Sequence, residues 1–584
     1  MNQRKNPFEY EGANNLPDED IIDFYIEDYN FSRFIQSKKN IFLLGERGSG
    51  KTMTLLYNSF KIQYKKSYRN SIPVDFSKIG IHIPCKNPLF YKPEYLLLDD
   101  EFKRSVVGEH YLTLTIVNAI VETLENIPEI IKHIKNKDFL YKDIEYILGI
   151  ELNREYQNYF TAIKKYIQKE IIETQKYINN YGNSEFYNNT MSFASLAIPF
   201  IEVIKQIDIL ANSHFLLMVD DAQDMNLYQI KSLNSWIAYR NQSHFSFKVA
   251  TTKVNRPLSI TSTGGSIFEG HDYLSIDMEK PYQKKGSDFY EMATNIIAKR
   301  LENIGISPTP EEFFPENKDF TKAMLKAEEK VKEEALKRYP NIDEEGNTKK
   351  INDYVYKYKR AEYYRSRAKK ANLPPYSGFS MIVDISTGVI RNLLDPCYWM
   401  YDAQLSSQKD LINSIPPHIQ DEIIINRSKN LWERMRNLDK QIENCDTQQA
   451  KCIYQLFDNL MILFKRRLLE HKSEPRAIVF SISLMKQEDI YVKLTELLDI
   501  ARKAQLLYTR IGNAKDLGKQ EKYYVPNRLL FPSRGLDPHG QYSRVSLKVT
   551  DLWNAAINNA LIPFSDTDKE EEIVQKSLFD NNYE

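Results

Sequence analysis

The 584-residue sequence has few of the features that mark secreted, membrane-spanning or disulfide-rich proteins. It contains only four cysteines and no CxxC pair, so we expect neither a disulfide framework nor a zinc site. No apolar run approaches the roughly 18 residues that a membrane helix needs. The first residues, MNQRKNPFEYEG, lack the apolar segment of a secretory signal. These absences predict a cytoplasmic protein with no membrane partner.

The formal net charge is zero, because 79 Lys and Arg residues balance 79 Asp and Glu residues. Composition alone therefore gives no case for nucleic acid as a partner. The segments differ, however: residues 502–548 hold ten basic and three acidic residues, and residues 353–370 hold seven and two. Residues 565–584 hold two basic and seven acidic residues, and residues 18–28 hold six acids and no base. Neutrality is a cancellation between segments, so it does not exclude a local DNA-binding surface.

Glycine is scarce, with 20 residues in the chain, which makes one cluster of three conspicuous. Residues 40–52 read NIFLLGERGSGKT and fit the pattern GxxxxGK[ST] between an apolar strand and a helical stretch. Glycines allow backbone N–H groups to surround a phosphate, and the helix N-terminus adds the positive end of its dipole. We therefore predict an ATP site. Its residues are Gly45, Glu46, Arg47, Gly48, Ser49, Gly50, Lys51, Thr52 and Met53.

Two acids follow a second apolar strand, in the segment FLLMVDDAQD at residues 215–224. A continuous apolar run is typical of a central parallel strand, and Asp220 would lie at its carboxyl edge beside the phosphate loop. We predict that Lys51 reaches the β- and γ-phosphates and that Thr52 and Asp220 hold Mg²⁺. Asp221 would orient or polarise the attacking water. The alternative is that the two acids form a turn or helix cap.

A third strand, FSFKVATT at residues 245–252, ends in two threonines. Thr252 at this strand end could sense the γ-phosphate or hold the lytic water. The alternative, that the threonines simply cap an ordinary strand, applies equally to either residue.

The phosphate loop, the acidic strand and the polar-tipped strand, in this order, resemble an AAA+ ATPase. The segment 290–302 resembles the first helix of an AAA+ lid, and ISTGVIRNLLD at 385–395 resembles the sensor helix of the origin-recognition and replication-initiator branch. By this resemblance Arg391 would reach the nucleotide phosphates, whereas the alternative is an arginine on a solvated helix face. The opening NPF and the run ERGSGKTM are similar to bacterial initiator-like AAA+ ATPases.

The sequence departs from that branch at two catalytic positions. Asp221 stands where most relatives have Glu, which leaves the rate of hydrolysis open. The segment after the third strand offers only Arg256 as an arginine finger, and not at the expected place.

From residue 475 the pattern is strand, helix, strand, turn and strand, which is the order of a winged helix. The resembling family carries such a domain after its lid. We predict DNA binding through residues 490–548 and through 353–370, where five tyrosines are interleaved with basic residues. The alternatives are a winged helix used for protein contacts and an amphipathic helix whose tyrosines pack inward.

Together these patterns predict an α/β protein with a P-loop AAA+ parallel-sheet base, a helical lid and a C-terminal winged-helix domain. The predicted domains are a lead-in at 1–40, a base at 41–285 with a helical insertion at about 101–200, a lid at 286–405 with an insertion at about 303–375, a helical linker and winged helix at 406–564, and an acidic tail at 565–584. The predicted function is an ATP-binding, slowly hydrolysing switch that controls DNA binding. The alternative is a nucleotide-gated scaffold or sensor for a protein effector, for instance in phage defence, and a second copy of the chain is a further candidate partner.

Overall fold

The chain divides into two compact units, Glu11–Glu279 and the combination of Met1–Tyr10 with Lys280–Glu584. Each unit has a hydrophobic core of its own. The predicted acidic tail at 565–584 lies outside the described residues. The computed structural model describes residues 6–9, 12–27, 31–85, 98, 100–156, 158–180, 189–239, 244–253, 259–279, 286–340, 347–367, 372–407, 412–469, 477–483, 488–513, 520–540 and 544–564.

A five-stranded parallel sheet organises the unit Glu11–Glu279. Its strands are β1 (Ile41–Leu44), β2 (Lys78–Pro84), β3 (His214–Asp220), β4 (Phe245–Thr251) and β5 (Leu274–Asp277). Their order in the sheet is β2-β3-β4-β1-β5. Every residue of β3 and β4 is buried, as expected for strands of a parallel sheet covered on both faces. The predicted α/β class is thus confirmed, and the strands predicted within 41–44, 215–219 and 245–252 are present as β1, β3 and β4.

Ten α-helices are found among the described residues of this unit. They are α1 (Asp18–Phe24), α2 (Phe31–Ile35), α3 (Lys51–Tyr57), α4 (Phe60–Arg69), α5 (Glu101–Glu125), α6 (Pro128–Lys132), α7 (Lys137–Leu148), α8 (Tyr159–Asn179), α9 (Ile198–Ile204) and α10 (Leu227–Ala238). The predicted helical insertion corresponds to α5–α9, between β2 and β3. Asp100 caps the 25-residue helix α5 by accepting a hydrogen bond from the Phe102 N–H.

Two acids of the stretch near the N-terminus pair with bases within the same unit. Asp18 on α1 lies 2.9 Å from Lys61 and 2.6 Å from Lys65, both on α4. Asp23 on α1 likewise pairs with Arg69 of α4 at 2.7 Å. These acids of α1 therefore form ion pairs with α4, and α1 also packs against the phosphate-loop helix α3.

The second unit is mainly helical. Its helices are α11 (Asp288–Glu302), α12 (Pro310–Phe313), α13 (Lys318–Arg338), α14 (Asn347–Arg367), α15 (Phe379–Ile385), α16 (Ile390–Ser407), α17 (Pro417–Arg436), α18 (Thr447–Leu469), α19 (Glu488–Lys503) and α20 (Val549–Asn558). Four strands, β6 (Val479–Ser483), β7 (Leu507–Asn513), β8 (Gln520–Pro526) and β9 (Arg544–Lys548), form a mixed sheet in the order β7-β8-β6-β9. The predicted sequence of strand, helix, strand and strand after residue 475 is present as β6, α19, β7 and β8.

The N-terminal NPF segment packs into this second unit. The Phe8 ring is fully buried and lies 5.8–6.0 Å from the rings of Phe313, Phe314 and Tyr401. Arg300 on α11 donates hydrogen bonds of 2.7 Å to the carbonyl oxygens of residues 7 and 9. An aromatic cluster and a buried guanidinium therefore fix the beginning of the chain.

Among the described residues, no helix combines the length and the apolar character needed to cross a membrane. All four cysteines are buried free thiols.

Candidate nucleotide-binding site

The predicted phosphate loop lies at the carboxyl edge of the parallel sheet, between the end of β1 and the start of α3. The Gly45 N–H donates to the Thr251 carbonyl oxygen at 3.3 Å, which ties the first loop residue to the end of β4. Gly48 and Gly50 have φ angles of +90° and +95°, in the region that glycine adopts without strain. A Cβ at Gly45 would lie 2.5 Å from Ser49 Oγ and 3.1 Å from Ser49 Cβ, so a larger residue here would force the Ser49 side chain to move. The glycine spacing is therefore a requirement of the backbone.

Lys51 is buried within this loop and its ammonium group points back along it. Its Nζ donates hydrogen bonds to the carbonyl oxygens of Gly45 at 2.7 Å and Glu46 at 3.1 Å. Burial lowers the pKa of Lys51, and the carboxylates of Asp221, Asp220, Glu46 and Glu279 act in the opposite direction. These four carboxylates therefore favour the charged form of Lys51 within the loop.

Asp220 ends β3 and is completely buried. Its Oδ1 accepts a hydrogen bond from the Asp221 N–H at 3.0 Å, and its Oδ2 lies 3.2 Å from Nε2 of His82 on β2. Two contacts therefore orient this carboxylate at the carboxyl end of β3, and its role in holding Mg²⁺ stays a prediction. His82 was not among the predicted residues.

Asp221 adopts a left-handed backbone conformation, with φ +54° and ψ +43°. Few residues other than glycine take this conformation, and Asp is among those that tolerate it. Gln223 Nε2 donates to Asp221 Oδ1 at 2.9 Å. The turn therefore directs Asp221 away from the line of β3 and holds its carboxylate with a neighbouring amide.

The threonines at the end of β4 lie on the same edge of the sheet. Thr251 is paired in register with Leu44, so Thr252 is level with the first residue of the phosphate loop. Both threonines are buried. The structure therefore brings together the loop, Asp220, Asp221 and Thr252, as predicted from strand order.

Two charged residues that the sequence analysis missed complete this edge. Glu279 follows β5 and accepts a hydrogen bond of 2.7 Å from the Glu46 N–H through Oε1. Lys253 follows Thr252, and its Nζ lies 3.0 Å from Glu279 Oε2 and 2.7 Å from Asp277 Oδ2. Both could have been found by asking which charged residues follow each strand of the predicted parallel sheet.

Arg391 belongs to the other unit, where it is exposed in the first turn of α16. The turn before α16 is strained at Thr387, whose φ is +58°. Thr387 Oγ1 accepts a hydrogen bond from the Arg528 N–H at 3.0 Å, and Asn392 donates to the Tyr508 hydroxyl at 3.0 Å. The helix that carries Arg391 is therefore attached to β7 and to the turn after β8. Arg256 lies outside the described residues.

Several basic residues of 502–548 have partners inside their own unit. Arg510 and Arg528 are buried. Arg534 pairs with Asp458 at 2.7 Å, and Arg544 lies over the Tyr523 ring at 4.7 Å. These side chains are occupied by contacts that stabilise the second unit.

Helix α14, which holds most of the segment 353–370, likewise packs against its neighbours. Tyr363 and Tyr364 are buried, and Tyr354 stacks near Tyr358 with ring centroids 4.4 Å apart. Arg360 forms two hydrogen bonds of 2.8 and 2.7 Å with the Asp537 carboxylate. This packing favours the alternative interpretation of an amphipathic helix with inward tyrosines.

The residues at the sheet edge fit a nucleotide and its metal. Ser49 Oγ is a buried hydroxyl with no hydrogen-bond partner among the described residues, and it lies within the phosphate loop. Mg²⁺ at such sites is usually held by one or two side chains together with phosphate oxygens and waters, a set that Thr52 and Asp220 could begin. Within the described part of the chain, no group of three or more His, Cys, Asp or Glu side chains is arranged to hold a metal by itself.

Comparison with known proteins agrees with this geometry. A family model described as ORC-CDC6-like matches residues 6–547. No curated protein matches the chain. The family match covers nearly the whole sequence, from the NPF segment to β9, and it is consistent with the phosphate loop and the strand order. The chain therefore belongs to the ORC-CDC6-like family, whose members are initiator-like AAA+ ATPases.

Proposed function

We propose that this protein binds ATP with Mg²⁺, hydrolyses it slowly, and uses the bound nucleotide to control its binding to DNA. One observation carries the proposal: a glycine loop containing a buried lysine lies at the carboxyl edge of a sheet in the order β2-β3-β4-β1-β5. A loop of this kind followed by a helix N-terminus is built for phosphate.

Each residue of the site has a proposed role in binding or hydrolysing ATP. Backbone N–H groups of the loop and Lys51 would bind the phosphates, while Thr52 and Asp220 would hold Mg²⁺, which neutralises phosphate charge when bound. Asp221 would orient or polarise the attacking water, and Thr252 would hold it. Arg391 is the proposed phosphate ligand from the helical unit.

Hydrolysis can be tested separately from binding. We expect Asp221→Asn to retain ATP binding and to lower the turnover rate by about 10²-fold or more, because the amide cannot accept a proton. Exposed Asp138→Asn, on α7, is a matched control and should leave turnover unchanged. ATPase activity that is equal in all three proteins would remove Asp221 from catalysis.

In this proposal, the bound nucleotide controls DNA binding through the C-terminal sheet of β6, β7, β8 and β9. We propose that β6, α19, β7 and β8 form a winged helix, since their order is the one this domain requires. The hydrogen bonds of Thr387 and Asn392 support a link between the Arg391 helix and this region. A ligand that binds one conformation better than another shifts the population between them, so ATP could change DNA affinity through this link.

The claim that nucleotide controls DNA binding can be tested by measuring the affinity for duplex DNA. The measurement is made with ATP, with ADP and without nucleotide, each at several salt concentrations. We expect tighter binding with ATP, and an affinity that falls with salt in proportion to the phosphates contacted. Binding without a salt slope, or no binding in any nucleotide state, would contradict it.

A second candidate function is a nucleotide-gated scaffold for a protein effector. It is favoured by the internal pairing of Arg510, Arg528, Arg534 and Arg544, which leaves less basic surface for DNA. Co-purification with the products of neighbouring genes, with ATP and with ADP, discriminates the two. A nucleotide-dependent protein complex in the absence of DNA affinity would support the scaffold.

A further inference from the structure

Glu279 is a buried carboxylate that contacts the nucleotide loop without belonging to it. Its side chain is 0% exposed, and both of its oxygens have partners. Oε1 accepts the Glu46 N–H at 2.7 Å, and Oε2 lies 3.0 Å from Lys253 Nζ. One side chain thus joins the second residue of the phosphate loop to the residue that follows Thr252.

Hydrogen bonds from two backbone N–H groups hold the segment that carries this carboxylate in place. The Glu279 N–H donates to Asp277 Oδ1 at 2.9 Å, and the Met278 N–H donates to the Leu44 carbonyl oxygen at 2.9 Å. Lys253 also binds Asp277 Oδ2 at 2.7 Å. Polar contacts therefore join the ends of β1, β4 and β5 around the first turn of the loop. We call the residues Lys253, Asp277 and Glu279, which make most of these contacts, the brace.

The contact with Glu46 fixes a peptide whose orientation affects the rest of the loop. Because the Glu46 N–H is held by a hydrogen bond at one end of a short loop, the amides that follow it can adopt fewer conformations in the absence of a bound phosphate. Ordering a loop residue costs backbone entropy, so a loop that is already ordered binds its ligand more tightly. Lys253 pairs with Glu279, which offsets the negative charge that this buried carboxylate brings beside the phosphate site.

We propose that Glu279 and Lys253 are positioning residues that hold the phosphate loop in its nucleotide-accepting conformation before nucleotide binds. This inference depends on the proposed nucleotide binding and adds residues that act through the Glu46 peptide. Because the brace acts on the loop and not on the γ-phosphate, it contributes equally to the affinities for ATP and ADP. A residue that senses the γ-phosphate would instead change the affinity for ATP alone.

The test measures the dissociation constants of Mg·ATP and Mg·ADP by calorimetry for the wild-type chain, four single variants and one double variant. Glu279→Ala removes the acceptor of the Glu46 N–H, whereas Glu279→Gln keeps an amide oxygen for it and loses only the charge pairing with Lys253. Lys253→Met removes the partner cation. Exposed Glu122→Ala, on α5, is the matched control.

We expect Glu279→Ala to weaken ATP and ADP by the same factor, about tenfold or more, because a buried donor loses its acceptor. Glu279→Gln should lose less than Glu279→Ala, and Glu122→Ala should bind as the wild type does. Lys253→Met added to Glu279→Ala should cost much less than Lys253→Met alone, because the pair acts as a unit. Faster amide exchange of the loop in Glu279→Ala, without nucleotide, would support the same conclusion.

Unchanged affinities in Glu279→Ala, or a loss for ATP with none for ADP, would overturn the proposal. If Glu279→Ala does not fold, equal affinities in Glu279→Gln, Lys253→Met and the wild type would overturn it as well. A wild-type chain that binds neither nucleotide would contradict the proposed function itself, which separates the two failures.

Discussion

Lys51 shows how a single charged side chain is accommodated before its ligand is present. Its Nζ is held by two carbonyl oxygens of its own loop, and four nearby carboxylates favour its charged form against the effect of burial. ATP brings further negative charge to a site already rich in acids. A divalent cation is therefore expected to be necessary for tight ATP binding, because it neutralises phosphate charge that Lys51 alone cannot balance.

His110 is a second buried titratable residue, and its contacts fix its neutral form. Its Nδ1 accepts the Met191 N–H at 2.9 Å, and its Nε2 lies 3.1 Å from Thr174 Oγ1. Burial lowers the pKa of His110 from 6.5 to about 4. Nδ1 must lose its acceptor role when it is protonated, so the charged form is favoured in the unfolded chain.

We predict a loss of stability in acid that comes from His110. Because its folded-state pKa lies below the unfolded value, its contribution is complete above pH 6.5 and disappears as the pH falls towards 4, roughly 3 kcal/mol in all. His110→Asn, whose side-chain oxygen can accept the Met191 N–H, should make urea unfolding midpoints less dependent on pH in this window. Exposed His133→Asn is the control, and a wild-type-like pH dependence in His110→Asn would contradict the prediction.

At the scale of elements, three strands and the phosphate loop could be predicted because they follow from local patterns, whereas β2 and the order of the strands in the sheet were not predicted. Apolar runs identified β1, β3 and β4, and the glycine spacing identified the loop before α3. Which charged residues meet could not be predicted in the same way. The Glu46 N–H and Glu279 are 233 positions apart, and their contact depends on β5 lying beside β1.

Helix α14 is the element whose sequence pattern was most ambiguous. Alternating basic and aromatic residues suit both a nucleic-acid surface and a packed amphipathic helix, and the sequence does not reveal which partners face it. Asp537, which binds Arg360, is 177 residues away in the chain. Local charge counts therefore overstate the basic surface that is free for a partner.

The Arg360–Asp537 pair gives a prediction for this element. The two side chains are 14% and 1% exposed, so Asp537→Ala would leave a buried guanidinium without this carboxylate. We expect a loss of about 3–5 kcal/mol in the unfolding free energy of the second unit, measured by urea denaturation. The matched surface pair is Arg436 with Glu433, so Glu433→Ala should cost about 1 kcal/mol or less. Equal effects of the two substitutions would contradict this assignment.

At the scale of the whole molecule, the zero net charge is a cancellation between segments, and many of the charges that cancel are also paired with one another. The acids of α1 pair with α4, and many bases of the second unit pair within it. The DNA surface of the proposed function would therefore be local. In that proposal, the link between the Arg391 helix and the C-terminal sheet would control it.

Thr387→Val tests that link. Valine has nearly the shape of threonine but cannot accept the Arg528 N–H, so the turn before α16 should hold the C-terminal sheet less firmly. We expect ATP affinity within about twofold of wild type, and an ATP-to-ADP ratio of DNA affinities that falls by about fivefold or more. Thr294→Val, on α11, removes only a hydroxyl bonded within its own helix and is the control. An unchanged ratio in Thr387→Val would show that this turn does not transmit the nucleotide state.

The central claim is that the loop from Gly45 to Thr52 binds nucleotide through Lys51. It is tested most directly by calorimetric titration of ATP into the wild-type chain and into Lys51→Ala, each with Mg²⁺ and with EDTA. We predict saturable binding of one ATP to the wild type with Mg²⁺, weaker by about tenfold or more in EDTA, and a similar or greater loss in Lys51→Ala. ATP binding to Lys51→Ala with wild-type affinity would contradict the account.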